Sequence, residues 1–320
     1  MKRRDFIKTT AVVAPMISLF PADLSAITRD SVSGKMEKRS LGRTGEMLSI
    51  IGFGGIVVKD ATPEEASASV KLAIDAGINY FDVAPTYGDA EIKLGPALKP
   101  YRKDVFLACK TTMRSKDKAR AELKQSLKNL QTDYVDLYQV HAITKLEDVE
   151  TIFTPGGAME TFIEARKEGK VRFIGFSAHS VEAAMAMIDR FDFDTILFPV
   201  NYVTWHAGNF GPQVLERAHI KNMGILALKA MAKCPWPEGA DRKKYPKCWY
   251  EPLISSDDIR MGLRFTLSHP VTAAIPPGEL EFFKTAIDVS GNLKPLNEKE
   301  MAMIKEKALG INPLFKYPMA

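Results

Sequence analysis

The sequence predicts an α/β chain that folds as a (β/α)8 TIM barrel, a single domain preceded by an N-terminal export signal. Three observations predict it. Short apolar strand segments alternate with amphipathic helical segments and no linker interrupts them. Eight such units fall within about 250 residues, the length of a closed barrel rather than an open sheet. Polar, titratable residues stand at the C-terminal ends of several strands, where a barrel keeps its chemistry. The chain's 320 residues, 46 % of them hydrophobic, suffice for one large core. With 44 basic and 39 acidic residues the net charge is +5. No dense Lys/Arg run occurs beyond the N-terminus, so no nucleic-acid partner is expected.

Residues 1–26 stand apart. Lys2-Arg3-Arg4-Asp5-Phe6-Ile7-Lys8 precedes an apolar run from Ala11 to Phe20 and a polar segment ending Leu24-Ser25-Ala26. This is the pattern of an export signal, and the paired arginines resemble the twin-arginine type, which carries folded proteins across the bacterial inner membrane. The twin-arginine export machinery is therefore an expected partner and the periplasm the expected location. The apolar run is short of the roughly 20 residues a membrane span needs. No stable span is expected after processing, and an uncut signal would leave the protein tethered. Residues 27–36 read as a connector, and 37–320 as the barrel.

Residues 37–47 are expected to form a hairpin across the barrel bottom, followed by a first strand at 48–52. Thr62-Pro63-Glu64-Glu65 is a capping box with Pro at the first helical position, and Gly77 supplies the stop, which predicts a helix over 63–76. Strands follow at 79–83 and 105–110. Ser115 opens a helix in which Ala119, Leu123, Leu127 and Leu130 recur at helical spacing. Further strands are predicted at 134–140, 171–176, 195–200, 224–228 and 271–275. Helices are predicted near 157–168, 180–189, 211–221, 255–267 and 279–288, with an extra one at 297–309. Export implies an oxidising compartment, where the three cysteines leave at least one unpaired. Cys234 and Cys248 either bridge a loop of about 15 residues, for roughly 3 kcal/mol, or stay free.

Asp82 ends the second strand, Lys110 the third and His141 the fourth, with Tyr87 in the loop after Asp82. Alternation puts Phe106, Ala108 and Lys110 on one face, as it does Leu137, Gln139 and His141, and turns Cys109 towards the helices. These residues lie in stretches that, taken together and in order, resemble the aldo-keto reductase family from about Lys38 to Ile311. The stretches are Ile51-Gly52-Phe53-Gly54-Gly55, Phe81-Asp82 through Tyr87-Gly88 with Glu91 and Leu94-Gly95, Cys109-Lys110, Asp136 to His141, and Gly169 to Ser177. The resemblance implies that Asp82, Tyr87, Lys110 and His141 are the family's catalytic tetrad. It also implies a nicotinamide cofactor, NADP(H) or NAD(H), and a small-molecule carbonyl substrate. In that chemistry Tyr87 exchanges the proton, the Lys110 ammonium favours its phenolate, Asp82 keeps Lys110 charged, and His141 orients the substrate oxygen.

For the cofactor, the resemblance implies Gly54 and Gly55 in close backbone approach to a ligand, and Ser177, Asn201, Leu228, Lys229, Pro276 and Gly278 around it. The chain departs from the family at several of these positions. Ala178 replaces an asparagine, Pro199 the usual glutamine with Asn201 as substitute, and Leu228 the tyrosine that stacks on the ring. Pro277 and Phe283 replace the basic residues that often hold the adenosine 2′-phosphate, so no guanidinium clamp remains. No metal is expected. Trp205, His206, Asn209 and Phe210, together with the insertion Cys234–Tyr250, are expected to wall or cover the pocket. Two rivals are a zinc hydrolase built on His141, His179 and His206, and a nucleotide-binding barrel with a sensing role and little turnover.

Overall fold

A computed structural model describes residues 36–318. The expected export signal, at residues 1–26, lies outside the described residues. Strand β1 (Lys38–Ser40) pairs antiparallel with β2 (Met47–Ser49), Arg39 opposite Leu48. This is the expected bottom hairpin, but it takes the first two residues of the predicted strand 48–52. The barrel strand proper follows: Ile51 bridges Ala274, and β3 is Phe53–Gly54. Arg39 Nη1 donates to the carbonyls of Leu267 (2.8 Å) and Val271 (3.1 Å) and ties the hairpin to residues far along the chain.

The remaining elements follow in order: α1 (Pro63–Asp75), β4 (Tyr80–Asp82), α2 (Ala90–Leu98), β5 (Phe106–Thr111), α3 (Lys116–Asn129), β6 (Val135–Ile143), α4 (Leu146–Phe153), α5 (Ala158–Lys167) and β7 (Val171–Ala178). Then come α6 (Val181–Arg190), β8 (Thr195–Pro199), α7 (Tyr202–His206), α8 (Pro212–Ile220), β9 (Gly224–Leu228), β10 (Ala232–Cys234), β11 (Glu251–Pro252), α9 (Ser256–Leu267), β12 (Ala273–Ile275), α10 (Leu280–Ser290) and α11 (Glu298–Leu309). The sheet runs β3-β4-β5-β6-β7-β8-β9-β12, every pair parallel, and the Ile51–Ala274 bridge joins its two edges. The eight strands thus close into the predicted barrel. Helix α1 starts with the capping box read from Thr62 and Glu65. Helices α2 and α4 were not predicted. A Cβ on Gly95 would lie 2.6 Å from the Asn129 carbonyl oxygen, so the glycine lets α2 press against the end of α3.

Alternation along the strands splits the core in two. Leu41, Leu48, Tyr80, Phe106, Ala108, Leu137, Leu197, Leu226 and Ala273 fill the lumen, while a larger cluster packs between strands and helices. Cys109 belongs to the outer cluster, its Sγ 3.3 Å from Glu91 Oε1. All three cysteines are free, and Cys234 Sγ lies 3.2 Å from Glu251 Oε2. Of the two alternatives for Cys234 and Cys248, the structure has the free thiols. Among the described residues no helix is long and apolar enough to cross a membrane.

Candidate active site

The lumen changes character towards the C-terminal ends of its strands. Two residues beyond the lumenal Tyr80 comes Asp82, two beyond Ala108 comes Lys110, and two beyond Leu137 comes Gln139. Asp82 and Lys110 are 2 % and 0 % exposed and form an ion pair. Taking two charges out of water costs several kcal/mol each, so the pair survives only if its remaining valences are filled. They are filled here. Asp82 Oδ2 accepts from Gln139 Nε2 (3.1 Å) and from the Tyr80 hydroxyl (3.2 Å), and Lys110 Nζ also donates to the Val83 carbonyl (3.1 Å). Burial pulls the Lys110 ammonium down, but Asp82 and then Tyr87 outweigh it, and its pKa ends above the ordinary value.

Tyr87 sits half-buried in the loop after β4, its N–H held by the Ala84 carbonyl (3.0 Å), and Lys110 Nζ lies 5.2 Å from its ring centroid. The ammonium does favour the phenolate, as expected. Burial is the larger effect and acts the other way, with Asp82 adding to it, so the Tyr87 pKa is raised rather than lowered. Tyr87 therefore rests as a neutral phenol, a proton donor whose conjugate base has a cation beside it.

His141 faces Tyr87 edge-on, ring centroids 6.3 Å apart. Its Nδ1 is 2.9 Å from Ser177 Oγ, which accepts the Ala142 N–H at 2.8 Å. If the Ser177 hydroxyl donates to Nδ1, Nε2 keeps the hydrogen as the ring's free donor. Burial first, then the charges of Lys110, His179, Arg114 and Lys229, push its pKa down to about 2, so the ring is neutral. The strand breaks here: the β6–β7 register shifts between Val140 and Ile143, and Ala142 is left-handed at φ 55°. Arg114 Nη2 donates to the His141 carbonyl at 2.8 Å and steadies the break. Sequence reasoning missed Tyr80, Gln139 and Arg114 as site residues. Tyr80 shares a face with Asp82, and Gln139 pairs with Lys110 and shares a face with His141, a signal that alternation contains; Arg114 offers no sequence signal.

The profile of the aldo/keto reductase family matches residues 50–251. The chain belongs to this family. Aldo-keto reductases are oxidoreductases that work with nicotinamide cofactors. The chain is 28 % identical over 253 residues to the L-galactose dehydrogenase of Arabidopsis thaliana, covering 73 % of this chain and 75 % of that one. It is 38 % identical over 166 residues to the aldo-keto reductase YhdN of Bacillus subtilis, covering 46 % and 48 %. Among solved structures, an aldo-keto reductase of Bacillus halodurans in its holo form superposes with a TM-score of 0.69 at 23 % identity, covering 88 % of this chain and 99 % of that one. That last likeness speaks to the fold.

The positions expected to meet an aldo-keto reductase's cofactor divide into two groups. At the nicotinamide end, Asn201 Oδ1 caps α7 by accepting the N–H groups of Val203 (3.0 Å) and Thr204 (2.9 Å), which leaves its buried Nδ2 without a partner. An orphaned amide donor suits a carboxamide oxygen. Leu228, paired with Pro199 and Ile275 on the neighbouring strands, is only partly buried at the rim of the lumen and offers an apolar face to a ring. Ser177 is committed to His141 and Ala142. The chain's residues fit this half of the cofactor.

The glycines lie against the chain's own side chains and backbone. A Cβ on Gly55 would lie 2.7 Å from Val83 Cγ2 and 3.2 Å from the Asp82 carbonyl, and one on Gly54 3.0 Å from Ile275 Cγ2. The chain's own strands press close on both glycines. Gly55 opens a short 3-10 helix, Gly55–Val58. Gly278, after the buried Pro276, is likewise covered by Ile56 Cγ2 (2.8 Å) and Lys247 Cβ (3.0 Å). At the adenosine end Phe283 is buried edge-on against Phe53, ring centroids 5.0 Å apart, and Glu279 accepts the Lys247 N–H at 2.8 Å. Lys247 Nζ donates to the Val57 carbonyl at 2.8 Å, so the insertion reaches across to the turn after β3.

Two expected wall residues lie elsewhere. Trp205 packs on His269, centroids 4.1 Å apart, and His206 on Phe265 at 5.4 Å, because α7 turns both onto α9 and the turn after it. Phe210 is stacked between Phe198 (4.9 Å) and Phe315 (5.0 Å), and Asn209 Nδ2 donates to the Tyr317 carbonyl (3.3 Å). Among the described residues no three His, Cys, Asp or Glu side chains are grouped to hold a metal, so the zinc triad of His141, His179 and His206 is not assembled.

Proposed function

We propose that this aldo-keto reductase transfers hydride between a nicotinamide and a carbonyl or alcohol substrate, an aldehyde, ketone or sugar, with Tyr87 as the acid. The observation that carries the proposal is the buried Asp82–Lys110 pair set against Tyr87, with a neutral His141 across the gap. The bound nicotinamide supplies the hydride. The carbonyl oxygen takes a hydrogen bond from the free nitrogen of His141 and stands within reach of the Tyr87 hydroxyl. As negative charge grows on that oxygen, the phenol gives up its proton, and the Lys110 ammonium stabilises the phenolate left behind. Asp82 keeps Lys110 charged through the cycle, and Tyr80 and Gln139 hold Asp82. Asn201 Nδ2 and Leu228 seat the carboxamide and the ring.

The assay follows nicotinamide absorbance over a panel of carbonyl compounds with NADPH and with NADH. Tyr87→Phe should lose roughly 10²- to 10⁴-fold in kcat while nucleotide still binds. Wild-type turnover in that variant would refute the role of Tyr87, and nucleotide binding with no reduction of any carbonyl would favour a sensing barrel. We further propose export in folded form by the twin-arginine route with the nucleotide already loaded. Arg3→Lys with Arg4→Lys should hold the protein in the cytoplasm on cell fractionation; unchanged periplasmic accumulation would refute the route.

A further inference from the structure

Lys229 carries an ammonium for which the described residues provide no ion-pair partner. It follows the last residue of β9 with φ 71°, in the left-handed region that residues bearing a Cβ rarely adopt. Its Nζ stands over two rings of the insertion, 5.0 Å from the Trp249 centroid and 4.7 Å from that of Tyr250. Other basic groups around the barrel mouth have oxygen partners: Lys110 has Asp82, Arg114 has Asp148 at 3.4 Å, Lys233 has Glu251 at 2.6 Å, and Lys247 has the Val57 carbonyl. Among the described residues Lys229 makes neither an ion pair nor a hydrogen bond through its ammonium.

Aromatic faces hold a cation less firmly than a carboxylate does. That the two rings leave a deficit shows in its acidity: burial pulls the Lys229 pKa down to about 8. In the closed strand order β9 is the fourth neighbour of β5 in either direction, so Lys229 rises on the side of the mouth opposite Lys110. Its charge nevertheless reaches His141 and His179 and lowers both. An anion bound at Lys229 would face, across the barrel mouth, the oxygen that His141 holds. Trp249, 53 % exposed, flanks that position with an apolar surface an organic acid can lie on.

We propose that Lys229, which the family resemblance places beside the cofactor, instead binds a carboxylate of the substrate, and that the protein acts on carbonyl compounds carrying an acidic group on the far side from the reacting carbon. This rests on the reductase reading given above. The Lys229–Trp249–Tyr250 group fixes the acid, Tyr87 and His141 fix the carbonyl, and the distance across the mouth selects the length between them.

Two measurements test it, one of them free of turnover. The first compares kcat/KM for 4-carboxybenzaldehyde and its methyl ester in the wild type, Lys229→Met and Lys229→Arg. The acid should be preferred by about 10- to 100-fold in the wild type, the ratio should fall towards one in Lys229→Met, and Lys229→Arg should keep most of it. A ratio near one in the wild type, or one unchanged in Lys229→Met, overturns the proposal. The second titrates benzoate, which cannot react, into the nucleotide-loaded proteins by calorimetry; binding should weaken at least tenfold in Lys229→Met, and equal binding overturns the proposal. If neither aldehyde is reduced, the reductase reading fails while the benzoate titration still decides the site. A loss of nucleotide affinity in Lys229→Met with no change in the acid-to-ester ratio assigns the ammonium to the cofactor's diphosphate and overturns the proposal as well.

Discussion

Removing both members of the Asp82–Lys110 pair should cost less stability than the two single removals added together. In Lys110→Met the carboxylate, 2 % exposed, keeps only the neutral donors Gln139 (3.1 Å) and Tyr80 (3.2 Å). Losing the partner of a buried charge costs about 3–5 kcal/mol. In Asp82→Asn the fully buried ammonium keeps the Val83 carbonyl (3.1 Å) and one amide oxygen, a loss of about 2–4 kcal/mol on the same grounds. The double variant carries no buried charge at this point, so the single losses should not add; the coupling should be about 2–3 kcal/mol in favour of the double variant. Urea unfolding of the four proteins near pH 7 measures the cycle. Activity should be low in all three variants, since none presents an ammonium to Tyr87 in the native arrangement. Additivity within about 0.5 kcal/mol would refute the argument, because it would mean that the two charges are not each other's compensation.

Stability should also fall in mild acid through histidines that are buried neutral. Burial, with Lys229 second, lowers His179 to about 4, and burial, with His206 second, lowers His269 to about 4. Folded-state values below the ordinary 6.5 mean that the unfolded chain takes up protons first, so the contribution is complete above pH 6.5 and is lost progressively from there down to about pH 4. Each site contributes roughly 2–3 kcal/mol, and His269→Phe should flatten the pH dependence of the urea midpoint between pH 6.5 and 4.5; an unchanged slope in that variant would count against the assignment. Gly55→Ala places a methyl 2.7 Å from Val83 Cγ2 and 3.2 Å from the Asp82 carbonyl. It should destabilise by about 1–3 kcal/mol and reduce kcat by displacing Asp82, and a variant with wild-type midpoint and activity would show that β3 and β4 can separate at no cost.

Local sequence sufficed for much of this molecule. The capping box of α1, the eight strand segments and the alternation that sends Lys110 inward and Cys109 outward are short-range features, set by side-chain period and cap chemistry. For the same reason the gathering of Asp82, Tyr87, Lys110 and His141 was legible: a strand end is a local property, and a parallel barrel brings all its strand ends to one mouth. What depends on residues distant in the chain was not legible. Helix α2 persists through Gly95 and Pro96 because the end of α3 packs on it, and Gly55 is a glycine because β4 presses on it. Trp205 and His206 leave the mouth because α7 delivers them to α9 and the turn beyond. Even the direction of the Tyr87 shift is a tertiary outcome. Sequence names the cation beside the phenol, but only the packing around it shows that lost hydration outweighs that cation. Lys229 is the same lesson at the opposite rim: a lysine after a strand is unremarkable in a sequence, and only the folded chain shows that, among the described residues, its ammonium meets two rings and no carboxylate.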